Sequence, residues 1–124
     1  GKYPNTKYFN EKGRCFPDLS AVGTNFQILT EGAWGPLSGT SASCPTVAAI
    51  FALINNERFL VGKQPLGFLN LMLYKLQSVG TDIVSGENKS HPCDKGFSAV
   101  KGFDAISGLG TPNYSLLYKA LVNI

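Results

Sequence analysis

The stretch Ser38-Gly39-Thr40-Ser41-Ala42-Ser43-Cys44-Pro45, running into Thr46-Val47-Ala48-Ala49-Ile50-Phe51-Ala52-Leu53-Ile54, constrains this chain more than any other. A turn of small, hydroxyl-bearing residues leads straight into an uncharged apolar run. Proline fits a helix in its first turn, where its missing N–H has no partner to lose. A helix is therefore expected to begin around Ser41 to Cys44 and to reach about Arg58, buried on most sides because Val47 to Ile54 carries no charge. Ser41 would then sit at the positive end of that helix, beside unpaired backbone N–H groups. An oxyanion formed in acyl transfer requires preorganised donors of that kind, and Gly39 leaves the backbone open to close approach. The plainer reading of Ser41 or Ser43 is a helix N-cap, a common place for serine.

Around this feature the chain reads as loop-rich. Residues 1 to about 16 are polar, aromatic and turn-forming. Leu19 to Val22 and Asn25 to Thr30 are candidate short strands, the second ending at the turn Glu31-Gly32. Arg14 and Asp18 suit a structural ion pair. Trp34-Gly35-Pro36-Leu37 leads into the serine turn, either lining a groove or packing. After the loop Val61 to Pro65, the apolar spacing of Leu66, Phe68, Leu69, Met72, Leu73 and Leu76 predicts a core-facing helix. Residues 80 to 112 are glycine-rich without periodicity, and so long a loop usually has a function or an ion to order it. Asn113 is a natural N-cap for a last helix reaching Val122, with Tyr114, Leu117 and Leu121 on one face.

Charge and cysteine narrow the field. A net charge of +3 with no basic run gives little support to nucleic-acid binding. No apolar stretch has the length needed to span a bilayer. Cys15, Cys44 and Cys93 lack metal-ligand spacing, and an odd number leaves one free or paired elsewhere. Cys44 reads as a small core residue, and Cys93, in a polar loop, as the better disulfide candidate. Asn88-Lys89-Ser90 and Asn113-Tyr114-Ser115 fit the glycosylation pattern and lean towards the secretory route. Asp82 and Asp104, with a glycine-rich turn between them, suit a hard cation that accepts carbonyl ligands. His91, the single histidine, reads as a solvated loop residue.

Gly39-Thr40-Ser41-Ala42-Ser43-x-Pro45 resembles the nucleophile motif of the sedolisin family of serine-carboxyl peptidases, whose subtilisin cousins have Met-Ala after the serine. The similarity extends to Arg14-Cys15-Phe16-Pro17-Asp18-Leu19-Ser20, to Pro65-Leu66-Gly67-Phe68-Leu69-Asn70 with Leu73-Tyr74, and to Asp82-Ile83 with Gly102-Phe103-Asp104-x-x-Ser107-Gly108-Leu109-Gly110-Thr111-Pro112. Within the family, the tripeptidyl-peptidase and fungal branches are most alike. The resemblance implies an α/β fold, with residues 1–124 as the C-terminal part of a subtilisin-like, doubly wound parallel-sheet peptidase domain. The nucleophile turn and helix would be 38–58 and the calcium-site loop 80–112. It makes Ser41 the catalytic nucleophile. It implies one structural Ca2+ held by the carboxylates of Asp82 and Asp104 and the carbonyls of Ile83, Val100 and Gly102. Val100 stands where the family has glycine, Phe103 where tryptophan is usual and Ala105 where proline is usual.

The family's base is a glutamate oriented by an aspartate, with a further aspartate in the oxyanion hole. A carboxyl base works best in acid, where imidazole would be protonated. Those three acids belong to family segments that lie before residue 1, and neither Asp18, Glu31 nor Glu57 stands in a matching motif. The resemblance thus implies hydrolysis of peptide or protein substrates at acidic pH, by tripeptide release or internal cleavage, in a lysosomal or other acidic compartment or outside the cell. The missing N-terminal part of the domain would be an obligatory partner. Two rivals remain: a subtilisin-type peptidase with an upstream histidine, and a catalytically incomplete, calcium-stabilised structural or interaction fragment.

Overall fold

A computed structural model describes residues 3–76, 78, 80–90 and 94–124. A short 3-10 turn, Thr6–Tyr8, is followed by strands β1 (Phe26–Thr30) and β2 (Ala33–Leu37) and the long helix α1 (Thr40–Leu60). Helix α2 (Asn70–Leu76), the two-residue strands β3 (Gly80–Thr81) and β4 (Thr111–Pro112), and helix α3 (Tyr114–Leu121) complete the order. Strands β1 and β2 form an antiparallel hairpin in which Phe26 faces Leu37 and Thr30 faces Ala33. Its two-residue turn has positive φ at both Glu31 (52°) and Gly32 (80°), the backbone twist that matches paired strands. Pro36 is tolerated in β2 because the hairpin has only two strands and Pro36 needs no second partner. Among the described residues the sheets are two antiparallel pairs, so the mixture of helix and strand is present while no parallel sheet is formed.

The core lies where one face of α1 meets α2 and α3. Phe51 and Ile54 of α1, Leu73 of α2, and Leu117, Leu121 and Val122 at the end of the chain are buried together. Burying one such side chain contributes about 1.5–3 kcal/mol. Leu19, Leu66, Leu69, Met72, Leu76 and Leu109 pack around them.

Several sequence expectations are corrected here. Helix α1 begins at Thr40 and ends at Leu60, which puts Pro45 in its second turn rather than its first. Only Ala42, Phe51, Ile54 and Arg58 of this helix are buried. Cys44 is exposed rather than a core residue, and Leu60 is 73% exposed. The reason is geometric: α2 and α3 cover one face, the hairpin borders only the first turns of the helix, and the rest is left open among the described residues. Leu19 to Val22 is irregular instead of a strand, although Leu19 does pack on the core. The segment before α2 is irregular from Lys63 to Leu69, with Gly67 at a φ of 71°, and Phe68 is 77% exposed. At the last helix Asn113 is the N-cap, its Oδ1 accepting the Leu116 N–H at 3.1 Å. Tyr114 leans on Tyr118 instead of joining Leu117 and Leu121 in the core.

Arg58 is a buried cation with no carboxylate side chain against it among the described residues. Its Nε donates to the Gln64 carbonyl at 2.7 Å, and its Nη1 donates to the carbonyls of Leu121, Val122 and Ile124. The first two are at the C-terminal end of α3, where unpaired carbonyls and the helix dipole favour positive charge. Arg58→Ala is expected to lower unfolding stability by about 2 kcal/mol, since hydrogen bonds to a charged group are stronger than neutral ones. Arg58→Lys keeps the charge but loses the fork, and should recover only part of the loss in a urea midpoint measurement.

Candidate active site

The turn that leads into α1 is held by backbone rather than by a side-chain cap. Gly39 is the N-cap residue at φ 151° and ψ 161°, and no side chain caps the helix. The serines are therefore free of the capping role the plainer reading gave them. The Ala42 N–H donates to the Gly39 carbonyl at 3.0 Å, and the Gly39 N–H donates to the Gly23 carbonyl at 2.6 Å. Ser38 Oγ accepts the Asn25 N–H at 3.1 Å, which ties the base of the hairpin to the turn. Ser41 follows as the second residue of α1. Pro45 cannot donate back to the Ser41 carbonyl, so α1 lacks one ladder bond there.

Ser41 is exposed and opens onto a cavity of about 380 Å³ between the hairpin and α1. Phe26, Ile28 and Leu37 line it from the hairpin, and Ala42, Pro45, Thr46 and Ala49 from the helix. No titratable side chain lines this cavity, and among the described residues Ser41 Oγ has no hydrogen-bond partner. Among the described residues the site thus presents a hydroxyl at a helix N-terminus without a base beside it. His91 and Cys93 lie outside the described residues. Trp34 is 73% exposed and takes no part in lining the cavity.

Asp18 anchors the preceding segment. Its carboxylate accepts both bonds of a fork from Arg14 Nη2 at 2.6 and 2.7 Å, one from Asn70 Nδ2 at 3.0 Å, and one from the Tyr74 hydroxyl. Burial pushes this carboxyl group up, but the hydrogen bonds from Tyr74, Arg14 and Asn70, with the guanidinium charge, hold it below the usual carboxylate value. The structural ion pair expected from Arg14 and Asp18 is present, and Asn70 and Tyr74 extend it. In the sequence those two belong to the stretch that resembles the family downstream of the serine, with nothing to mark Asp18 as their partner.

The second candidate site brings the predicted ligand residues into two adjacent segments. Asp82 Oδ2 accepts the Gly102 N–H at 2.7 Å, whereas the other oxygen, Oδ1, is buried without a partner. Asp104 is buried and accepts from the N–H groups of Val100, Ile106 and Ser107 and from the Ser107 hydroxyl. Burial raises its pKa, but these donors outweigh burial and keep it low. Among the described residues no hydrogen bond reaches the carbonyls of Ile83, Val100 or Gly102. The unpartnered Asp82 Oδ1 is buried, and the Gly102 N–H bond to Asp82 Oδ2 joins the two segments that carry these carbonyls; carboxylate and carbonyl oxygens are the donor types calcium takes. No cluster of three or more acidic, histidine or cysteine side chains occurs among the described residues, so any cation here depends on those carbonyls.

Known proteins place these features in a family context. Residues 2–60 match the model of the subtilase family. More particularly, the chain is 43% identical over 120 residues to Aorsin of Aspergillus oryzae, a match that covers 97% of this chain and 18% of Aorsin. It is 41% identical over 121 residues to tripeptidyl-peptidase sed1 of Aspergillus fumigatus, again 97% of this chain and 18% of the relative. Against tripeptidyl-peptidase 1 of Homo sapiens the identity is 39% over 126 residues, covering 97% of this chain and 22% of the human protein. The resemblance to sedolisin-type peptidases read from the four motifs therefore holds along nearly the whole chain. The chain itself spans only 18 to 22% of these three relatives.

Proposed function

We propose that residues 1–124 are the nucleophile-bearing, C-terminal part of the catalytic domain of a sedolisin-type serine peptidase. The observation that carries this is the serine turn: an unencumbered Ser41 hydroxyl at the start of a helix whose N-cap is a bare Gly39. In this reading Ser41 Oγ attacks the scissile carbonyl carbon and gives its proton to a carboxylate base contributed by polypeptide outside this chain. The oxyanion is met by backbone N–H donors at the head of α1, the leaving amine takes up a proton, and water then releases the acyl group from Ser41. A carboxylate base places the working range in acid. The names of the relatives support a tripeptidyl-peptidase acting on peptide substrates; the carboxylate base and the two glycosylation patterns fit an acidic compartment or the outside of the cell. The uncovered apolar face of α1 supports a larger domain, in which a doubly wound parallel sheet would pack on that face. The deciding test is Ser41→Ala in the full-length protein.

The second part of the reading is a structural Ca2+. The carboxylates of Asp82 and Asp104 and the carbonyls of Ile83, Val100 and Gly102 would hold it, joining the segment after β3 to the turn at 100–104. Its charge would satisfy the buried Asp82 Oδ1. Calcium bound to the folded state alone stabilises by mass action. A chelator is accordingly expected to lower the melting temperature and activity together, and added calcium to restore both. An unchanged melting curve in chelator counts against the ion.

A further inference from the structure

We propose that Gly23 is a positioning residue for Ser41, acting through the absence of a side chain. The inference rests on the reading of Ser41 as nucleophile. Three contacts converge on this glycine. Its carbonyl accepts the Gly39 N–H at 2.6 Å. A Cβ built on it would lie 2.5 Å from Ser43 Oγ and 3.0 Å from the Gly39 carbonyl oxygen. Gly39 and Ser43 bracket Ser41 by two residues on either side. Gly39 adopts a conformation that residues with a Cβ rarely take, and no side chain caps the helix it begins. The direction in which α1 leaves the turn is therefore set from outside, through the Gly23 backbone.

Gly23 has little freedom to retreat from an added methyl. A few residues before it, the Ser20 N–H donates to the Gly110 carbonyl at 3.0 Å, and the Leu109 N–H donates to the Asp18 carbonyl at 2.9 Å. Asp18 is itself held by Arg14, Asn70 and Tyr74. The Ser43 hydroxyl can rotate aside, but the Gly39 carbonyl is backbone and moves only with the head of α1. Displacement there changes where Ser41 Oγ stands relative to its donors, and attack geometry is sensitive to shifts of ångström size.

The experiment uses the full-length protein, with peptide turnover and phosphonylation of Ser41 by a fluorophosphonate probe as parallel readouts. Gly23→Ala is expected to lower kcat roughly ten- to a hundredfold with KM changed less than about twofold, and to slow labelling of Ser41 by a similar factor. Gly23→Ala combined with Ser43→Ala should recover part of the loss, because one of the two atoms facing the new methyl is gone. The recovery must exceed what the single variants predict by addition. Unchanged kcat and labelling in Gly23→Ala overturn the inference while leaving Ser41 in place. So does a loss that follows the folded fraction and shows no coupling to Ser43. Wild-type protein that hydrolyses peptides yet takes no label at Ser41 overturns the nucleophile itself, and the positioning role with it.

Discussion

Ser41→Ala in the full-length protein should abolish peptide turnover and leave folding untouched. Removing the nucleophile of a serine peptidase lowers kcat by roughly a millionfold, equivalent to about 8 kcal/mol of transition-state stabilisation. The same substitution separates catalysis from structure, because the two make opposite forecasts for stability. A serine that capped α1 would cost about 1 kcal/mol on replacement by alanine. Here the N-cap is Gly39, Ser41 lies inside the helix, and its hydroxyl has no partner among the described residues. Alanine at that position leaves no orphaned group and favours helix, so the melting temperature should hold or rise slightly. The measurement pairs steady-state turnover with thermal unfolding. A fully active alanine variant would sink the assignment, and an inactive variant that also loses a capping bond's worth of stability would restore the plainer reading.

The extent to which this site was legible in the sequence differs from element to element. The serine turn was legible because its chemistry is local: small residues, hydroxyls and a proline within eight positions bring their own geometry. The N-cap of α3 was legible for the same reason, since Asn113 needs only Leu116 to act. The second strand of the hairpin was not, because Ala33 to Leu37 contains glycine and proline and becomes a strand only through pairing with Phe26 to Thr30. Burial is not legible wherever it depends on a neighbour. Val47 to Ile54 is apolar on every side, yet a helix is buried only where another element covers it, and α2 and α3 cover one face. Gly23 carried no signal in the sequence, since what distinguishes it is the approach of Gly39 and Ser43 from across the turn. Asp82 and Asp104 were visible as carboxylates joined by a glycine-rich turn, but the unpartnered Asp82 Oδ1 that suits a cation is a property of packing.

The second large effect is expected at Asp18. Its carboxylate joins the segment before β1 to α2, through Asn70 and Tyr74, while its backbone carbonyl holds Leu109. Asp18→Ala leaves those donors without an acceptor and should cost about 2–4 kcal/mol, mainly from Tyr74 and Asn70, since Arg14 is largely exposed and readily hydrated. The cost should depend on pH in a definite sense. Tyr74, Arg14 and Asn70 depress this carboxyl group in the folded state below the ordinary value of 3.8, despite the opposing effect of burial. A depressed folded pKa contributes stability that is fully present above the unfolded value and is lost as pH falls through the folded one. The gap in urea midpoint between wild type and Asp18→Asn should therefore be widest near neutrality and close on acidification below about pH 4. A gap that stays constant down through that range would mean that the Asp18 carboxyl group binds its proton equally well folded and unfolded, and so is not stabilised in its ionised form by Tyr74, Arg14 and Asn70. If the gap holds through moderately acidic pH and closes only below the ordinary carboxylate value, the clamp survives under the conditions in which a carboxylate base works. The segment behind Gly23 would then stay fixed while Ser41 turns over.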